Sequence, residues 1–380
     1  MFDPSVALLR DFVAINSVNP SLVPGAPGEA QMADAVAAHL SKLGLDVEVQ
    51  PVADGRSNVI GILEGRARGR SLMFCGHLDT VGVEGMTAPF EPVLRDGRLY
   101  GRGAQDMKAG VAAMIDAARV IASGTLAAGR LVVAAVIDEE YASIGADALI
   151  AEWRADAAVV TEPTDLQIGI AHKGFAWYEI EMRGRAAHGS RPLEGRDAIL
   201  RMGRALSALE SLDRELQQRP PHPLMGTGSL HASLIEGGRE LSSYPDRCVL
   251  TLERRTIEGE DDEVVDAEMA GIIDRLRAGD REISVSCRRL FSRPAYHVAR
   301  DHELPRSLAA AVVACAGTEA PITAMTFWTD AAILGHAGIP SVLFGPGGAG
   351  LHSVEEYVNV ADVIACRDAL AEFARAWLRE

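Results

Sequence analysis

The chain reads as an α/β protein with a mostly parallel central sheet, interrupted by an inserted ferredoxin-like domain. Three observations predict this. First, apolar runs of strand length, Leu72 to Gly76, Arg130 to Ile137 and Ala157 to Val160, alternate with stretches of helical periodicity, the rhythm of strands covered on both faces. Second, acids and histidines cluster just past these runs, where ligands bind in open α/β sheets. Third, from about Gly174 the order becomes strand, helix, strand, strand, helix, strand, and the α/β rhythm returns after Pro294. The expected organisation is an α/β domain in two parts, 1–173 and 293–380, around an insert at 174–292.

Residues 4–16 and 28–43 carry apolar residues at helical spacing, and Gly44 closes the second helix. Strand-like runs follow at 45–52 and 57–64, then Leu72 to Gly76 leads into His77. Asp106 follows the glycines of GRG and precedes KAGVAAMIDAARVIASG, a helix closed near Gly124. Arg130 to Ile137 ends in Asp138, Glu139 and Glu140; a short helix at 146–154 separates it from Ala157 to Val160, which delivers Thr161 and Glu162. The insert is expected as strand FAWYEIEMRG, helix 196–218, strands 228–236 and 246–256, helix 261–277 and strand 283–291. The last part is expected as helix 304–315, strand 321–325, helix 330–337, strand 340–344 and helix 359–379, with His352 after the loop GPGGAGL.

Composition narrows the partners. At 380 residues with 48% apolar and 24% charged residues, the chain has enough material for more than one core. A net charge of −16 repels phosphate backbones and anionic lipid surfaces, so neither nucleic acid nor membrane is an expected partner. The longest apolar interior run, Leu131 to Ile137, is far short of the roughly 18 residues a membrane span needs. The N-terminus lacks the basic start and unbroken apolar stretch of a signal peptide. Five cysteines, odd in number and without a C-x-x-C pair, read as reduced thiols of a cytoplasmic protein.

The stretch from Ser71 to Asp106 holds His77, Asp79 and Asp106, the groups that half of a two-zinc hydrolase site would need. A metal-bound imidazole usually gives its second ring N–H to a carboxylate, and Asp79 reads as that partner of His77. Asp106 alone is equally a helix N-cap. Glu162 alone is equally a turn residue before Pro163. Several such groups at one rim are harder to explain by accident.

Together GHLDTV, GRGAQDMKAG, IDEEYASIGA, TEPTD, AAHGSRP and GPGGAGLHSVEEYV, in this order and over nearly the whole chain, resemble the acetylornithine deacetylase and succinyl-diaminopimelate desuccinylase family, which also includes aminoacylases and a glutamate-releasing carboxypeptidase. The resemblance implies a zinc-peptidase-like catalytic domain, an inserted lid that also makes a homodimer contact, and hydrolysis of the amide of an N-acyl amino acid or short peptide. It implies two Zn²⁺ ions, with Co²⁺ or Mn²⁺ as candidate substitutes. His77 and Glu162 would hold one ion, Glu140 and His352 the other, and Asp106 would bridge them. Three protein ligands per ion leave a position for water, as catalytic zinc requires, and two ions can share a hydroxide that attacks the amide. On residue type alone either adjacent glutamate can be base or ligand; the resemblance makes Glu139 the general base. It further gives His188 as the lid histidine for the oxyanion, in the same or the partner subunit's site, and Arg255 for the substrate carboxylate, with Arg254 as the alternative. Gly347 and Gly348 would present backbone groups to the substrate.

Rival readings stand beside this one. A dipeptidase or carboxypeptidase of the same superfamily would use the same metal residues. A non-catalytic metal or amino-acid binding protein on this scaffold would have no need of Glu139. GPGGAG at 345–350 formally matches a dinucleotide-binding glycine loop, but only thirty residues follow, too few for the remaining strand and its acid. His39, His172, His222, His231, His297, His302 and His336 read as surface or satisfied core residues. Thr329 or Asp330 reads as an N-cap, with a role for Trp328 or Asp330 in a substrate pocket as the sharper alternative.

Overall fold

The computed structural model describes residues 2–280 and 282–379. They form two compact units: one of residues up to 170, 298–323 and 329 onward, the other of Ala171–His297 with Ala324–Trp328. The insert thus starts a little before and ends a little after the expected 174–292, and takes in a short later segment.

In chain order the first unit opens with α1 (Pro4–Val13), α2 (Ala30–Lys42), β1 (Asp46–Ala53), β2 (Arg56–Glu64), β3 (Ala67–His77), β4 (Val93–Arg95), β5 (Arg98–Tyr100), α3 (Lys108–Ala122), β6 (Ala128–Val136), α4 (Ile144–Glu152) and β7 (Ala157–Val160). Strand β8 (Ile168–His172) leads into the second unit, which holds β9 (Gly174–Arg183), α5 (Ala198–Gln218), β10 (Ser229–Gly237), β11 (Arg247–Thr256), α6 (Asp262–Gly279), β12 (Ser284–Arg293) and β13 (Tyr296–His297). Then come α7 (Glu303–Ala316), β14 (Ile322–Met325), α8 (Ala331–His336), β15 (Ser341–Leu343), β16 (Gly348–Ala349), β17 (Tyr357–Asn359) and α9 (Val360–Trp377).

The main sheet runs β1-β2-β6-β3-β7-β15-β8. Its four middle strands, β6, β3, β7 and β15, are parallel, while β1, β2 and β8 join antiparallel. The expected parallel sheet is therefore present as the centre of a mixed one. The centre is parallel because its strands are apolar on both faces: Leu131 to Val136 and Ala157 to Val160 are all buried. Parallel strands end on a common rim, so β3 delivers His77, β6 delivers Asp138 to Glu140, β7 delivers Thr161 and Glu162, and β15 delivers the Gly345 loop to one edge.

In the second unit the antiparallel sheet has the order β10-β11-β9-β12. With its βαββαβ chain order this is the ferredoxin-like topology. Burial alternates along β9, where Ala176, Tyr178, Ile180 and Met182 face the core and meet Met202 and Leu209 of α5 and Met269 and Ile272 of α6. Arg254, on the same face, is fully buried, with ion pairs to Glu260 at 2.9 Å and Glu268 at 3.1 Å.

Some elements depart from expectation. Strands β4, β5, β16 and β17 form a small sheet of two- and three-residue segments, too short to carry a period. Strand β8, IGIAH, is buried throughout and shows no alternation. Among the described residues no helix is long and apolar enough to cross a membrane.

The helix that follows the Asp106 loop lies flush against the rim. A Cβ added at Gly110 would come within 1.9 Å of the Thr161 carbonyl oxygen. In an open helix Gly→Ala gains about 1 kcal/mol; here overpacking costs about 1–3 kcal/mol and reverses the sign. Gly110→Ala is expected to lower Tm by a few degrees, and a raised Tm by differential scanning calorimetry would contradict this packing.

Candidate metal centre

His77 stands at the end of β3, buried, with Nε2 3.1 Å from Asp106 Oδ1, 3.9 Å from Glu139 Oε2 and 4.0 Å from Glu162 Oε1. The other oxygen of Asp106, Oδ2, is 3.4 Å from His352 Nε2, which also lies 3.0 Å from Glu140 Oε2. One carboxylate thus faces two imidazoles, and each imidazole has a further glutamate beside it. Two sets of possible ligand atoms gather within 4.8 Å: His77 with Glu139 and Glu162, and His77 with Asp106 and Glu140. The rim brings together His77, Asp106, Glu139, Glu140, Glu162 and His352, from five segments remote in sequence.

Local structure explains each placement. Asp138 has φ 69°, a left-handed turn that redirects the chain after β6, so Glu139 and Glu140 leave the strand direction together. Their backbone N–H groups donate to the two oxygens of Asp79, at 3.1 and 3.2 Å. Asp79 therefore does more than orient His77. The His77 Nδ1–H has its nearer acceptor in the Asp79 backbone carbonyl at 3.0 Å, with the carboxylate at 3.5 Å. Asn19 Nδ2 bridges Asp79 and Asp138 at 2.8 and 3.0 Å. Arg56 then grips Asp138 at 2.8 Å and Glu29 at 2.6 Å. Sequence reading misses Asn19, Arg56 and Glu29, and the supporting role of Asp138, because their only signal is burial, which residue type hides.

Asp106 does not cap α3: the N-cap position is Met107, with no side-chain hydrogen bond. At α8 the cap-like contact comes from Thr329, whose Oγ1 accepts from the Ala331 N–H, while the Asp330 carboxylate is buried and its charge acts on Glu139 and Glu162. Lys108 is buried and donates to the Ile15 carbonyl at 2.6 Å. The two C-terminal glycines are required by close backbone approach. A Cβ at Gly347 would lie 2.4 Å from Asp165 Oδ1, and one at Gly348 would lie 2.1 Å from the Tyr357 carbonyl oxygen. The Gly347 carbonyl accepts from the Asn359 N–H at 2.9 Å.

The electrostatics have one cause, a surplus of buried carboxylates over cations. Burial, then the Glu162 charge, holds Glu139 well above the carboxylate range. Burial, with Asp106 and Asp330 nearby, does the same to Glu162. Glu140 is pushed up to about 7 by burial and the Asp106 charge. His352 is raised to about 10 by its bonds to Asp106 and Glu140. Burial opposes protonation of His77, yet Asp106 and Asp79 hold its pKa high. Asp106 stays ionised against burial because His352 and His77 bond to it. Glu140 Oε1 is buried with no hydrogen-bond partner among the described residues. An orphaned carboxylate oxygen within an all nitrogen and oxygen donor set fits divalent cations of the zinc type.

A second cluster in the other unit does not fit a cation. His222 Nε2 and His297 Nδ1 each lie 3.3 Å from Glu258 Oε2. His222 Nδ1 accepts the Leu224 and Met225 N–H groups, so the neutral ring carries its proton on Nε2 and donates it to Glu258. The other expected residues of that unit are His188, which is exposed with Nδ1 accepting from the Ser190 N–H, and Arg255. The Arg255 guanidinium lies over Phe175 and donates to Glu253 at 2.6 Å. Its side chain is 31% exposed where that of Arg254 is fully buried, so of the two only Arg255 opens to solvent.

A carboxylate facing two imidazoles, with further glutamates beside each, at the carboxyl rim of a parallel sheet is the donor arrangement of a metal-dependent hydrolase centre. Residues 73–376 match peptidase family M20/M25/M40, and the chain belongs to that family. It is 31% identical to an acetylornithine deacetylase of Myxococcus xanthus, covering 96% of this chain and 95% of that one. It is 31% identical to a succinyl-diaminopimelate desuccinylase of Gluconacetobacter diazotrophicus, covering 97% and 96%. It is 29% identical to an N-formyl-4-amino-5-aminomethyl-2-methylpyrimidine deformylase of Bacillus subtilis, covering 90% and 88%. In fold it is similar to a Staphylococcus aureus tripeptidase, with TM-score 0.82, 21% identity and 99% and 98% coverage. It is also similar to a dinuclear metal binding peptidase of Bacillus subtilis, with TM-score 0.75, 17% identity and 99% and 98% coverage. The chain is an amidohydrolase of a family in which metal dependence is typical, and a dinuclear site is implied.

Proposed function

We propose that this protein removes the acyl group from N-acyl amino acids, with two Zn²⁺ ions held by His77 and Glu162 on one side, Glu140 and His352 on the other, and Asp106 between. The observation that carries this reading is the division of the Asp106 carboxylate, Oδ1 toward His77 and Oδ2 toward His352. When bound, such ions supply Lewis acidity toward the amide carbonyl and a water whose proton is easily removed. Glu139 takes that proton and passes it to the departing amine. Asp79 keeps the Glu139 and Glu140 backbones in place through the bonds described above.

His188 is assigned to the oxyanion. Its Nδ1 is occupied as an acceptor, which leaves Nε2–H as the donor. Arg255 is assigned to the substrate carboxylate. Gly347 and Gly348 shape the backbone beside the substrate. A homodimer through the second unit is proposed on its outer strand β10, where Leu234 and Ile235 are 71% and 56% exposed on an edge with no further strand among the described residues. Five free thiols accord with a cytoplasmic location.

The amino-acid deacylase reading is favoured by the full-length relatives acting, by their names, on acyl-amino substrates. Hydrolysis of N-acetyl, N-succinyl and N-formyl amino acids and of dipeptides by the zinc-loaded protein is the test. Turnover of acyl amino acids above dipeptides is expected, and turnover of dipeptides alone would replace this reading with a peptidase. Glu139→Gln is expected to retain both metals while turnover falls by about 10² to 10⁴; unchanged turnover would remove Glu139 from the mechanism.

A further inference from the structure

We propose that Glu356 is a positioning residue for the metal centre. With Arg102 it forms a reciprocal clamp that holds Asp106 in register with His352 and so sets the affinity of the His352 side for its cation. This rests on the reading that Asp106, Glu140 and His352 hold a cation.

Glu356 is 1% exposed, and both its oxygens are filled. Oε1 accepts the backbone N–H groups of Gln105 at 2.8 Å and Asp106 at 3.0 Å. Oε2 accepts the Gly103 N–H at 3.0 Å and Arg102 Nη1 at 2.7 Å. A carboxylate from the His352 segment thus grips the backbone that carries Asp106. Arg102 returns the grip: its Nη2 donates to the Ser353 carbonyl at 3.0 Å, next to His352, and its Nε donates to the Gly82 carbonyl at 3.1 Å. The Gly101 N–H also donates to the Glu356 carbonyl at 3.1 Å.

The clamp matters most for His352. Its backbone has φ 57° and its side chain is 54% exposed, with Asp106 and Glu140 as its side-chain ion partners. His77, by contrast, is buried at the end of a central strand and held by Asp79. Asp106 serves both sides, but only the His352 side would lose the hold on both of its segments, so loosening 103–106 and 352–356 should disturb that side more than the His77 side. Charge-assisted bonds of this kind, just outside the ligands, commonly change metal affinity by about 10- to 100-fold.

The test compares wild type with Glu356→Gln and Arg102→Met. The first change turns an amide NH₂ toward two donors, either the Gln105 and Asp106 N–H groups or the Gly103 N–H and the Arg102 guanidinium. The second removes the return grip and leaves the backbone N–H bonds to Glu356 in place. Amide hydrogen exchange on the metal-free protein and stepwise zinc titration are the readouts, with kcat and KM on the loaded enzyme as a third. In Glu356→Gln, exchange at residues 103–106 should quicken at least about tenfold with core protection unchanged. The second zinc equivalent should bind about 10- to 100-fold more weakly, with the first weakened less, and kcat should fall at constant KM. Arg102→Met should weaken the second equivalent more than the first, and it carries the test if Glu356→Gln does not fold. Unchanged binding of both equivalents in folded variants, or equal weakening of both with global loss of protection, would overturn the clamp. Both zinc and exchange are read without substrate, so a chain that binds two zinc ions but cleaves no amide would fail the functional proposal alone.

Discussion

The centre depends on one carboxylate being held between two imidazoles. Asp106 can face His77 and His352 at once only because a loop of the small sheet and the end of a central strand are brought to the same rim. That convergence follows from the parallel core. Strands β3, β6 and β7 hydrogen-bond in parallel register, so their carboxyl ends open on one side. Helix α3 then carries the Asp106 loop against that side, through the close approach that Gly110 allows.

Gathering so many acids in a buried place is unfavourable without compensation. The protein compensates in layers. Nearest the centre, the imidazoles bond to Asp106 and Glu140. Behind them, Asp79 accepts two backbone N–H groups and an Asn19 amide, and Asn19 passes the contact to Asp138. Farther back, Arg56 places one guanidinium between Glu29 and Asp138. The acids next to the centre, Glu139, Glu140 and Glu162, remain shifted upward, because the histidines are the cationic side chains that offset their burial. Divalent cations would supply the missing charge. The same layers fix geometry, since the backbones of Glu139 and Glu140 are both tied to Asp79.

Much of this is legible in the sequence, for physical reasons. The strands that build the rim are continuous apolar runs, and the groups that matter sit immediately after them, so position alone points to His77, Glu139, Glu140 and Glu162. The βαββαβ insert shows in its change of rhythm and in the alternation along β9. Other features leave no pattern. Strand β8 and the short strands of the small sheet are stabilised by tertiary pairing rather than by local period. Asp79 reads as a partner for the His77 ring, and its larger task, bonding the Glu139 and Glu140 backbones, needs a turn at Asp138 that residue type does not announce. Glu356 lies within GPGGAGLHSVEEYV, yet beside Glu355 it looks like half of an exposed acidic pair, and only its burial distinguishes it.

The most direct measurement of the central claim is anomalous diffraction at the zinc edge from crystals of the zinc-loaded protein. Two anomalous peaks are predicted, one among His77, Asp106 and Glu162 and the other among His352, Asp106 and Glu140, with Asp106 touching both. A single peak, or peaks that leave Asp106 without contact to either ion, would contradict the account.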